Sequence, residues 1–127
     1  MTDPSATRPG DIQRDRLNRL LKRFAVVARA HHEAVESMDA ERAETQARMI
    51  AALYEALVRE GQKGEESLLD LVDSLDPVVA GMAAVYSIRR DTERCLAALR
   101  RVAKEPGLLG FRADMAVQRW ESGEWEV

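Results

Sequence analysis

The stretch from Leu68 to Tyr86, LLDLVDSLDPVVAGMAAVY, limits the possible folds more than any other part of the chain. It reads as an apolar helix end, a corner at Leu75-Asp76-Pro77, and a second apolar helix. Asp76 can accept hydrogen bonds from the free amides of a first helical turn, and Pro77 at the first helical position loses no intrahelical bond. After the corner, Val78, Val79, Met82, Ala83, Val85 and Tyr86 leave few polar positions. This helix is expected to be the most buried in the chain. A helical hairpin of this shape is the unit of HEAT-like repeats, which build binding surfaces more often than active sites.

The remaining residues agree with an all-α protein. Of 127 residues, 46% are apolar and 32% charged, enough for one domain with a real core. Ala, Leu, Arg and Glu are abundant, while two Trp, two Tyr and two Phe are the whole aromatic complement, a balance that favours helix over strand. A single cysteine, Cys95, excludes an intramolecular disulfide and a multi-cysteine metal site. The N-terminal MTDPSATRPGDIQRDR has no apolar core of signal-peptide type, and no window holds 18 uninterrupted apolar residues. The expectation is a soluble, cytoplasmic protein without a membrane partner.

Proline, glycine and small polar residues make 1–10 a flexible arm, followed by one helical domain over 11–123 and a tail over 124–127. Leu17, Leu20, Leu21, Phe24, Val27, Ala28, His31 and Val35 recur at spacings of three and four, which predicts a long helix from about Asp11 to Met38. Polar residues over Asp39 to Thr45 mark a corner. Met49, Ile50, Leu53, Ala56 and Leu57 give a second helix ending near Gly61, and Gly61 and Gly64 frame the next turn. A third helix spans about Glu65 to Ser74, and the fourth starts at Pro77. Asp91 or Thr92 caps a fifth bearing Cys95, Leu96, Leu99 and Val102, which Glu105-Pro106-Gly107 ends. The sixth carries Leu109, Phe111, Met115, Val117 and Trp120 and stops at Ser122-Gly123. Six helices in antiparallel hairpins fit a right-handed HEAT- or armadillo-like repeat, with a compact helical bundle as the alternative; the two differ in whether one side stays concave and exposed.

The net charge of −3 conceals alternating blocks. Residues 1–30 carry seven bases and three acids, 31–80 four and twelve, 81–104 six and two, and 105–127 two and five. Basic helices can pair with acidic ones inside the fold, or one sign can gather on an exposed face and steer a partner of opposite sign.

Motifs for chemistry are sparse. His32 and Glu36 lie four apart on one helix face, beside His31 and Glu33, and could both reach a metal. Adjacent residues on a helix point about 100° apart, however, so His31 and His32 do not converge on one ion, and a zinc site needs three or four ligands. His31 reads as a packing residue with one hydrogen bond, His32 as the polar edge of the stripe. Cys95 sits at an apolar position next to Arg94, and neither histidine has a spacing from it that signals a dyad. No Gly-x-Ser-x-Gly elbow or phosphate loop is present. Arg14, Arg16, Arg19, Lys22, Arg23 and Arg29, and later Arg89, Arg90, Arg94, Arg100, Arg101 and Lys104, are not interleaved with stacking aromatics, so they read as solvated faces rather than a nucleic-acid surface.

The run Leu68-Leu69-Asp70-Leu71 through Asp76-Pro77-Val78-Val79 and Ala83-Ala84, with the later Leu108-Leu109-Gly110-Phe111-Arg112-Ala113-Asp114-Met115 and Trp120-Glu121-Ser122-Gly123, resembles a small bacterial domain family of unknown function. The resemblance spans roughly residues 15–125 and implies an armadillo- or HEAT-like helical fold. Where such repeats commonly carry a basic residue on the inner helix, this chain has Ala80 and Gly81. By analogy with helical-repeat immunity proteins, it implies a non-enzymatic protein-binding module that sequesters a partner, such as a basic toxin. The candidate contacts are the acids Glu55, Glu60, Glu65, Glu66, Asp70 and Asp73, with Trp125 as an aromatic anchor that either folds back or stays exposed. No catalytic residue, cofactor or metal is expected. The alternatives are a structural subunit oligomerising along Leu17, Leu20, Phe24 and Val27, and a metal-dependent protein using His31, His32 and Glu36.

Overall fold

A computed structural model describes residues 8–125, and the chain is all-α over that range. Six helices follow in order: α1 Pro9–Glu36, α2 Ala40–Arg59, α3 Gln62–Asp70, α4 Pro77–Ser87, α5 Thr92–Val102 and α6 Gly107–Glu121, with one 3-10 turn over Leu71–Asp73 after α3. The expected arm therefore ends earlier than residue 10. Pro9 and Gly10 already belong to α1, because proline at a first helical position has no intrahelical hydrogen bond to lose. Residues 1–7 and 126–127, which complete the expected arm and tail, lie outside the described range. Among the described residues no helix is long and apolar enough to cross a membrane.

The first corner is tighter than the polar run 39–45 implied. Ala40 to Thr45 are helical, being mostly Ala, Glu and Arg, and Asp39 caps them by accepting from the Arg42 amide at 3.1 Å. The turn is completed by Met38 at φ 59°, and the Asp39 amide bonds the Ala34 carbonyl at 2.9 Å, as in a Schellman ending. Met38 fills the left-handed position that glycine ordinarily takes, and it is 90% exposed.

The corner before α4 forms as its residues dictate. Asp76 Oδ1 accepts from the Val78 amide at 2.9 Å, Ser74 Oγ accepts from the Asp76 amide at 3.2 Å, and Arg29 of α1 donates to Asp76 Oδ2 at 3.1 Å. One carboxylate thus caps α4 and ties it to α1. Leu75, at the tip, is fully exposed.

The helices stack as three hairpins, α1–α2, α3–α4 and α5–α6. The middle hairpin packs against both others, whereas the first and third have no extensive packing with each other among the described residues. Phe24, Ile50, Leu57, Leu68, Val72, Val79, Ile88, Cys95 and Leu99 form the fully buried centre. Tyr86 of α4 joins the first hairpin by edge-to-face contact with Phe24, centroids 6.1 Å apart, and by a tilted contact with Tyr54 at 4.8 Å. Gly64 has a different task from the turn glycine Gly61, which takes φ 82°. A side chain on Gly64 would overlap the Leu57 carbonyl, so glycine lets α3 cross close to the end of α2.

Candidate functional site

Helix α4 is apolar on nearly every side, and the fold divides those sides between two environments. Val79, Ala80, Ala83, Ala84 and Ser87 are buried against neighbouring helices. Val78, Met82 and Val85, one and two turns apart, are only half-buried and form the floor of a groove of about 1050 Å³. The groove exists because α1 and α6 flank α4 without closing over it. Ala28, His31 and His32 of α1 make one wall; Leu109, Phe111, Arg112, Met115, Ala116 and Arg119 of α6 make the other. Trp125, just beyond α6, closes an end, held by a T-shaped contact with Trp120 at 5.7 Å between centroids.

The lining is mainly apolar with a few polar groups. His31, His32, Arg112 and Arg119 stand against one acid, Glu124, among the described residues. Neither Arg112 nor Arg119 has an ion-pair partner within that range; Arg19, Arg23, Arg59, Arg89 and Arg101 have none there either, whereas Arg14, Arg16, Arg29, Arg42, Arg48, Arg90, Arg94 and Arg100 do. Arg112 belongs to the exposed residues of α6, yet the groove walls around its head cost hydration and lower it from its ordinary value. It remains charged, as arginine does throughout the physiological range. Burial, then the charge of Arg112, then His32, lower His31 below the usual histidine value. The imidazole of His31 is therefore favoured in its neutral form.

The two histidines are not equivalent. His32 Nε2 lies 2.7 Å from Glu36 Oε1, one turn along the helix, while its Nδ1 is buried without a partner. His31 was expected to make one hydrogen bond; instead its Nδ1 is also buried and unpartnered. The ring nitrogen of His31 that an incoming group can reach is Nε2. Among the described residues no set of three His, Cys, Asp or Glu side chains comes together to hold a metal. Cys95 is buried on α5 and its thiol is pushed up to about 11, chiefly by burial and then by Asp91. The neutral thiol is a packing group.

The acids singled out in the sequence are mostly engaged inside the chain. Arg90 contacts Glu65 at 2.7 Å and Glu66 at 3.6 Å; Arg94 contacts Asp73 at 2.6 Å and Asp70 at 3.3 Å; Glu60 pairs with Arg16 of α1. Glu55 is exposed on α2 and has no ion pair among the described residues. The turn into α5 and its first residues thus supply bases to the acids of α3 and of the 3-10 turn after it. None of these six acids lines the groove, whereas Trp125 does. Trp125 folds back onto Trp120 and lines the groove.

Phe111, Arg112, Met82 and Met115 were legible as helix residues but not as groove residues. The available signal was α4 itself, too apolar for a helix with any solvent-facing side, which implies a second apolar face left for something else. Comparison of the chain with known protein families, curated proteins and solved structures finds no match.

Proposed function

We propose that this chain is a non-catalytic module that binds another protein, with the groove over α4 as its contact face. The observation that carries this is the half-buried row Val78, Met82 and Val85, flanked by Phe111 at 63% exposure. Apolar side chains left partly in water along the floor of a groove support this reading. Its volume, about 1050 Å³, lies at the top of the range of ~300–1,000 Å³ usual for small-molecule pockets. A segment of polypeptide laying apolar side chains between two helices fits that space.

Charge selects the segment. The groove presents Arg112 and Arg119 without ion-pair partners among the described residues, so the favoured occupant is an apolar segment carrying acidic side chains. This moves the binding face from the acids of α3, which are neutralised by Arg90 and Arg94, to the opposite chemistry on α6. Sequestration of a toxin-like partner, and a cytoplasmic setting, remain part of the proposal. The buried lone thiol of Cys95 supports a compartment that does not depend on disulfides.

The test is a paired capture from lysate of the native cell, using the tagged chain, a Met115→Arg variant in the groove and a Glu66→Lys variant on α3. One stoichiometric protein lost with Met115→Arg and kept with Glu66→Lys supports the groove. Loss with Glu66→Lys alone returns the contact to the acidic face.

A further inference from the structure

We propose that Arg112 and His31 form a carboxylate-recognition point at the polar end of the groove, engaging an acidic side chain of the partner segment. This rests on the groove being the protein-binding face. The two residues reach the same cavity from α6 and α1, on hairpins that scarcely touch elsewhere, and the Arg112 charge is, after burial, a cause of the lowered His31 value. The Arg112 guanidinium is a planar fork of donors with no acid on it among the described residues. His31 supplies one reachable nitrogen, Nε2, since Nδ1 is buried without a partner.

A carboxylate is the anion this geometry fits. It accepts two parallel N–H bonds from the guanidinium and a third from His31 Nε2–H. A phosphate can take the same guanidinium fork, so what singles out a carboxylate is the body that carries it. The largely apolar walls also suit an anion delivered on an apolar body, because water excluded by that body strengthens the ion pair.

The experiment uses the full chain and three probes with the same eight-carbon body: octanoate, octanol and octyltrimethylammonium. Binding is followed by NMR of the His31 ring and of the Met82 and Met115 methyl groups. The expected result is methyl shifts with octanoate and octanol, a His31 ring shift with octanoate alone, and octanoate affinity roughly tenfold above that of octanol, as one charge-assisted contact provides. Arg112→Gln removes the tenfold preference and the ring shift but keeps the methyl shifts, and Arg112→Lys restores the preference in part. Equal binding of octanoate and octyltrimethylammonium, or an unchanged preference in Arg112→Gln, overturns the carboxylate point while leaving an apolar groove. Absence of methyl shifts with every probe overturns the groove reading and the carboxylate point together.

Discussion

Arg94, near the start of α5, reaches back to Asp73 in the 3-10 turn after α3, Nη2 to Oδ2 2.6 Å, and the same guanidinium touches Asp70 at 3.3 Å. Together with Arg90 on Glu65 and Glu66, it makes the acidic face of the middle hairpin a seam within the fold. Arg94 is correspondingly held above its ordinary value, first by the hydrogen bond to Asp73.

Reversing Glu65, Glu66, Asp70 and Asp73 together to lysine therefore affects folding before it affects any partner. The four contacts are partly exposed and worth up to about 1 kcal/mol each, so the variant is expected to lose about 1–3 kcal/mol at low salt and less at high salt. Urea denaturation at two salt concentrations measures this. Unchanged stability would mean that the pairs hold nothing and that the acids are free for a partner.

The same substitution at two glycines has opposite expected signs. Gly64→Ala drives a side chain into the Leu57 carbonyl and is expected to cost about 1–3 kcal/mol. At Gly81 a Cβ would meet Val102 at 3.6 Å, an ordinary contact, so Gly81→Ala is expected to gain about 0.5–1 kcal/mol from restricted unfolded-chain freedom. Thermal unfolding of both variants decides it; destabilisation by Gly81→Ala would show that α4 and α5 are packed closer than described.

Met38→Gly should stabilise the chain by about 0.5–1 kcal/mol. A left-handed backbone costs a side-chain-bearing residue ~1–2 kcal/mol, of which the entropy of a free glycine takes back ~0.5–1. At 90% exposure little packing is lost. A lower unfolding midpoint in Met38→Gly would argue against the φ of 59° at this corner.

His31 gives the fold a pH dependence of defined sign. Its folded value is lowered from the ordinary 6.5, so the unfolded chain binds the proton more readily. The contribution of His31 to stability is complete above about pH 6.5 and is lost progressively as the pH falls below it. Replacing His31 by Gln removes this component, so the loss of stability between neutral and mildly acidic pH should be smaller in the variant. Equal slopes in denaturation curves across that interval would place His31 in a solvated setting.

Most of the helical layout was legible in the sequence because its signals are local. Asp76 caps α4 through a bond from an amide two positions away, Asp91 caps α5 through one three positions away, and the three-and-four spacing of Leu17, Phe24, Val27 and Ala28 marks the face of α1 that is buried. The misplaced first corner had a local cause too: a left-handed methionine carries no compositional mark, whereas a glycine at position 38 would have shown the turn.

The candidate site was not legible in the same way. Glu65, Glu66, Asp70 and Asp73 form an acidic cluster in the sequence, and only the docking of α5 places Arg90 and Arg94 over it. Arg112 looks like one surface arginine among many until α6 is set opposite α1, where it remains without an acid among the described residues. The sequence by itself determined that six helices form, how α4 and α5 are capped and that α4 is apolar all round, since each follows from contacts within a few residues. Only the tertiary structure decided which charges cancel and which side of α4 stays open, because both depend on hairpins that are remote in the chain and meet through packing alone.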